Sequence, residues 1–145
     1  MRHALRAGSL AGSVLAVICL APGPAAATPP GPGVTGRVIL KTTVGNTDHI
    51  LRELTIPPGQ STGWHYHDGP IEGVVLRGTL THFASTCASD GTYRSGDVIR
   101  EPSGPGYVHI GRNLGRTPLV LLAHYTLPHD APLSEDAPNP GCDFQ

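Results

Sequence analysis

From Val34 to Pro128 the chain is a train of short β-rich runs, each stopped by a turn signal. VTGRVILKTTV is followed by Gly45-Asn46, HILRELTI by Pro57-Pro58-Gly59, TGWHYH by Asp68-Gly69-Pro70, and EGVVLR by Gly78. TLTHFA runs into the loop around Cys87, DVIRE stops at Pro102, YVHI at Gly111, and PLVLLAHYTL at Pro128. No segment after residue 33 repeats with a helical period. Regular breaks of this kind predict about eight strands and no helix. Many short strands joined by Gly/Pro turns make an all-β sandwich or barrel. A domain of this size buries roughly two thirds of the surface its unfolded chain exposes, enough for one core.

The flanks read differently. Arg2 and Arg6 precede a short apolar run, Leu10 to Leu20, and Ala25-Ala26-Ala27 supplies small residues. That is the layout of a secretory signal peptide over residues 1–27, cut after Ala27. The apolar run is too short to span a bilayer comfortably. A lipoprotein signal would use Cys19, but Ile18 is a poor fit to the small residue required before it. Residues 28–33 (TPPGPG) form a Pro/Gly leader, residues 34–128 the barrel, and residues 129–145 an extended tail. Without Arg2 and Arg6, eight basic residues face eleven acidic ones, a formal charge of −3. No basic cluster remains, so nucleic acid is not an expected partner, nor is a membrane after signal cleavage.

Export also bears on the cysteines. Cys19 leaves with the signal, and Cys87 and Cys142 remain. In an oxidising compartment the simplest state for two cysteines is one disulfide. Neither lies near another sulfur or a histidine in the sequence, so a metal role is not expected of them.

Chemistry concentrates in residues 63–73, GWHYHDGPIEG. On a strand His65 and His67 share one face, and Trp64 and Tyr66 share the other. Two imidazoles so placed can grip one ion, and neutral imidazole suits Zn, Cu, Fe and Ni. Alone, this spacing also fits a solvated strand face. The flanks add to it. Gly59, His65-Tyr66-His67, Glu72 and Gly78 stand in the order of the first motif of the cupin superfamily. Gly96, Pro102, Gly104, His109 and Asn113 follow in the order of the second. The chain thus resembles the small, secreted, single-domain bacterial cupins of the type-2 kind. Some of these carry one cysteine in the mid-barrel loop and one near the end, as Cys87 and Cys142 are placed here.

The resemblance implies a double-stranded β-helix, the jelly-roll barrel, with a divalent transition-metal ion (Fe, Mn, Ni, Cu or Zn) inside. Carried over by position, its ligands are His65, His67, Glu72 and His109. Two departures matter. Five residues separate Glu72 from Gly78 where the pattern usually has six, and a one-residue slip turns a strand side chain to the opposite face. Glu72 therefore either ligates through a local bulge or points away. SGPGYVH is also two residues longer than usual before His109. Tyr107 shares a face with His109 and is the candidate acid/base; packing is the other reading of it. His82 and His124 read as structural or second-layer histidines, and His49 and His129 as solvated.

Two functions stay open. One is a metal-dependent enzyme acting on an unknown small molecule, dioxygenase- or oxidase-like with a redox ion, isomerase- or lyase-like with Zn(II). The other is a non-catalytic extracytoplasmic module that binds a metal or a small molecule. A third, structural reading keeps the barrel as a storage-like dimer with a vestigial site; cupins commonly dimerise, so the resemblance allows a homodimer and leaves the oligomeric state open.

Overall fold

The computed structural model describes residues 27–145, so the expected signal segment, apart from Ala27, lies outside the described residues. Among those residues there is no helix and there are ten strands in two sheets. The first sheet runs β1(Thr35–Val44), β2(Thr47–Ile56), β9(Leu119–Pro128), β4(Ile71–Arg77) and β7(Val98–Glu101) in spatial order β1-β2-β9-β4-β7. The second contains β3(His65–Tyr66), β5(Thr79–Ala84), β6(Ser89–Arg94), β8(His109–Arg112) and β10(Glu135–Asp136), ordered β10-β3-β8-β5-β6. All pairings are antiparallel. The all-β jelly roll expected from the sequence is the observed fold.

Alternation builds the core. On β9 Leu119, Leu121, Ala123, Tyr125 and Leu127 point inward and are buried, while Val120, Leu122 and His124 stand on the outer face. One inner cluster joins Ile56, Val75, Leu80, Ile99, Leu119 and Leu121, and a second joins Ile50, Ile71, Ala123, Tyr125 and Leu127. Burying side chains of this size contributes about 1.5–3 kcal/mol each, before entropy is set against it.

Two strands were not legible as such. SDGTYR (β6) has no apolar alternation and contains Gly91, yet it pairs with β5 along its length. Glu135–Asp136 pairs with Tyr66 and His65, so the tail adds a strand to the second sheet. The tail also covers that sheet's outer face. Trp64 is fully buried against Ile110 and Ala137, with Cys142 and Phe144 packed on them. Cys87 and Cys142 form the expected disulfide, with Cα atoms 5.5 Å apart. The Pro/Gly leader is tied down as well: the Thr28 hydroxyl accepts from the Trp64 amide at 2.6 Å and lies 3.2 Å from the Ala137 carbonyl.

Asp48 closes the other end of the barrel. Its side chain is 1% exposed and lies 2.8 Å from the Lys41 ammonium. It also accepts hydrogen bonds from the Thr43 hydroxyl (2.7 Å), His129 Nδ1 (3.0 Å) and the Asp130 amide (3.1 Å). His129, expected to be solvated, is thus a partner of this carboxylate. Lys41 first, then Thr43 and His129, hold the Asp48 carboxyl far below the ordinary 3.8, against the opposing effect of burial. A depressed carboxyl contributes stability above its unfolded value and loses it as pH falls toward the folded one. Asp48→Asn is therefore expected to lower the melting temperature at pH 7, with the gap to wild type narrowing as pH drops below 3.8. A gap that stays constant from pH 7 to pH 3 in thermal melts would contradict this.

Candidate metal centre

His65 and His67 project inward from β3 and its C-terminal end, and His109 from β8, where it is the direct cross-strand partner of His65. All three are buried, with ring centroids 4.3 to 5.4 Å apart. One nitrogen from each comes within 4.8 Å of the other two. The three histidines singled out in the sequence therefore converge.

The backbone sets which nitrogen faces inward. His65 Nδ1 is 2.9 Å from the Gly63 carbonyl, His67 Nδ1 2.7 Å from that of Leu133, and His109 Nδ1 2.8 Å from that of Tyr107. A carbonyl can only accept, so each Nδ1 carries its proton and donates it. In the neutral ring that leaves an Nε2 lone pair pointing into the barrel, the arrangement in which metal-ligating histidines are usually held. His109 Nε2 is buried and makes no well-formed hydrogen bond among the described residues, a Glu101 oxygen 3.4 Å away being its polar neighbour. An orphaned buried nitrogen is costly unless something else satisfies it. Burial, reinforced by neighbouring His109 and His67, pushes the His65 imidazole down to about 3, so it stays neutral and able to donate its lone pair at ordinary pH. These donors fit a divalent transition-metal ion.

Glu72 does not join them. It sits on the outer face of β4, its side chain 59% exposed and paired with Arg100 at 2.8 Å. The register shift in β4 falls between Val75 and Arg77, beyond Glu72, so no bulge turns this carboxylate inward. The expectation of Glu72 as a ligand is corrected: Ile71, not Glu72, occupies the inward position at this level.

The carboxylate in the barrel is Glu101 of β7. Its side chain is 13% exposed, with one oxygen 3.2 Å from His67 Nε2 and 3.4 Å from His109 Nε2. The other oxygen lies 3.6 Å from Nε2 of His82. Burial works to raise the Glu101 carboxyl, but His109 and His67 hold it well below the usual carboxylate range. Conversely, burial would lower the His109 imidazolium, and Glu101 raises it above its usual value. His82 is buried and donates from Nδ1 to Asp90 at 2.6 Å, so it belongs to the layer around the centre. Sequence reading missed Glu101, although alternation with the core residue Ile99 places it on the inner face of DVIRE.

Tyr107 stands at the edge of this layer, its ring 5.0 Å from His109 and stacked at 6.3 Å on His82. Burial pushes its phenol up to about 12, so it holds its proton and can donate but not abstract one at neutral pH. His124 points outward and stacks on His49 at 5.5 Å, away from the centre. Asp48, His129 and Asp130 also cluster, but the Lys41 ammonium already neutralises Asp48 there.

The model of the Cupin domain family matches residues 52–125, just over half of the chain. The chain belongs to the cupin family. Solved structures agree on the fold. A cupin-like protein from Thermotoga maritima superposes with a TM-score of 0.62 at 24% identity, covering 73% of this chain and 77% of its own. A conserved protein with a double-stranded β-helix domain from Klebsiella pneumoniae gives 0.58 at 22%, covering 74% and 88%. A Cupin 2 conserved barrel domain protein from Salinispora arenicola gives 0.54 at 18%, covering 79% and 91%. No curated protein matches the sequence. At these identities the cupin structures bear on the fold alone.

Proposed function

We propose that this cupin holds a divalent transition-metal ion through Nε2 of His65, His67 and His109, with Glu101 as the carboxylate ligand that Glu72 does not provide, and acts as a metal-dependent enzyme on a small molecule. The observation that carries this reading is the common orientation of the three imidazoles, each fixed by a backbone carbonyl at Nδ1. The register supports the carboxylate. Glu101 is the direct cross-strand partner of Ile71, which occupies the inward position that the cupin motif gives its glutamate when counted back from Gly78. Opposed residues on antiparallel strands share a face. A carboxylate one strand over thus reaches the same level of the barrel. Two ligand bonds of about 2.1 Å at cis or tetrahedral angles separate their donor atoms by about 3.0–3.4 Å. The Glu101 distances to His67 and His109 fall at 3.2 and 3.4 Å.

A bound ion supplies a Lewis acid, or electron transfer if it is redox-active. The protein's own residues do the rest. Leu54, Leu80, Ile99 and Leu121 line a cavity of about 50 Å³ beside His65, His67 and Glu101. Its size limits the reacting end of a substrate to a few atoms. Tyr107, which keeps its proton, can hydrogen-bond a group beside His82 and His109. The disulfide supports an exported protein working in an oxidising compartment.

Elemental analysis of protein purified without chelator or histidine tag tests the centre. Wild type is expected to carry near-stoichiometric metal and His65→Ala/His67→Ala none. Chelation is expected to lower the melting temperature of wild type only, since an ion bound to the native state stabilises it. Metal-free wild type that gains no thermal stability from added Fe, Mn, Ni, Cu or Zn would end this reading.

A further inference from the structure

Arg52 is an arginine turned into the barrel. On β2 it shares the inward face with Asp48, Ile50, Leu54 and Ile56, and its cross-strand partner on β9 is the buried Ala123. Arg37, Lys41 and Arg100 pair with Glu53, Asp48 and Glu72, and Arg112, which has no carboxylate partner either, lies over the outer rings of Phe83 and Phe144. Arg52 is half-buried and has no carboxylate partner among the described residues; its guanidinium lies against the Tyr125 hydroxyl, and its Nε is buried without a hydrogen bond. A guanidinium is always charged, and placing one inside a fold without a counter-charge is costly. The guanidinium occupies the space beside Gly36 of β1, where a Cβ would push this flexible side chain aside.

What Arg52 faces gives the missing partner. It lines a cavity of about 100 Å³ together with Thr62, His65, His67, Tyr125 and Ser134. Two of those are histidines of the proposed centre, and three carry hydroxyl groups. A water occupies about 30 Å³ in the liquid, so this space suits a molecule of a few heavy atoms. The Thr62 hydroxyl is spent on the Gly63 carbonyl and the Gly111 amide, so the Arg52 fork with the hydroxyls of Tyr125 and Ser134, and no carboxylate in the lining, makes the part of this site that recognises a small anion. The planar fork of a guanidinium matches a carboxylate through two parallel hydrogen bonds.

We propose that Arg52 forms an anion-binding subsite beside the metal centre, and that the small molecule this cupin takes carries a carboxylate. The inference deepens the metal-centre reading by naming a substrate class, and it rests on that reading only for where the bound molecule reacts. Arg52 holds the carboxylate, and the rest of the molecule extends toward His65 and His67.

The test is isothermal titration with acetate, its uncharged isostere acetamide, and inorganic phosphate, on wild type and Arg52→Gln. Both proteins are studied metal-loaded and after chelation, with metal content measured on the same samples. Acetate is expected to bind wild type saturably and acetamide not at all. Arg52→Gln is expected to weaken acetate at least tenfold while metal content stays unchanged, the size of effect that losing a charge-assisted hydrogen bond produces. Equal binding of acetate and acetamide, no saturable acetate binding, or full acetate affinity in Arg52→Gln would overturn the subsite. Tighter binding of phosphate than acetate would overturn the carboxylate assignment. Failure to load metal overturns the centre alone if acetate still depends on Arg52. Should Arg52→Gln not fold, the contrast between acetate and acetamide on wild type decides.

Discussion

Glu101→Gln is expected to weaken metal affinity at least tenfold, while Glu72→Gln leaves it unchanged. The two glutamates lie on neighbouring strands, yet they face opposite sides of one sheet. Glu101 is nearly enclosed and its oxygen lies against two inward-facing imidazole nitrogens. Glutamine keeps the shape and one acceptor oxygen but removes the charge that a divalent ion needs beside neutral histidines. Outer partners of a metal site already cost ten- to a hundredfold when lost, so a directly bound carboxylate sets at least that scale. Glu72 is solvated and paired with a still more exposed Arg100, an interaction worth about 0–1 kcal/mol and on the opposite face of the sheet from the three histidines. Competition titrations against a chromogenic chelator measure both variants. Equal losses, or a loss confined to Glu72→Gln, would remove Glu101 from the centre.

The largest effect on stability is expected from the disulfide. Cys87→Ser/Cys142→Ser opens a loop whose ends are 55 residues apart. The chain-entropy model gives on the order of 4 kcal/mol for a loop of that length. For a domain of this size that corresponds to a fall in melting temperature of about 10–20 °C. The bridge also holds the tail where Phe144 covers Trp64, and the same tail presents the Leu133 carbonyl to His67 Nδ1. Loosening it is therefore expected to weaken metal binding as well as the fold. Thermal melts of wild type with and without reductant, beside the double variant, measure the effect. A shift under about 2 °C would show that tail packing alone carries the stability.

The sequence reading reached the barrel and its three histidines because both are written in short-range patterns. Gly and Pro breaks mark strand ends, and alternation places His65 and His67 together. His109 came from motif order, and its pairing with His65 is what the two-sheet closure adds. The reading left Glu72 open between ligand and outward residue because the missing residue before Gly78 allows two registers. The sheet resolves them by shifting between Val75 and Arg77, which keeps Ile71 inward and Glu72 outward. Glu101 was legible as an inward residue from its spacing to Ile99, but its closeness to His67 and His109 depends on how β7 pairs with β4. His82 was weighed as a structural histidine. Only the barrel's closure shows it between Asp90 and Glu101. The strand in the tail was hidden because Glu135–Asp136 has no β signature of its own and is ordered by β3 and the bridge.

The most direct measurement is an anomalous-diffraction crystal structure of the wild-type protein loaded with Zn(II). The account predicts one peak inside the barrel, about 2.0–2.2 Å from Nε2 of His65, His67 and His109 and from one Glu101 oxygen. Glu72 would remain outside, on Arg100. An ion bound by the Glu72 carboxylate, or no ion among the three histidines, would contradict it.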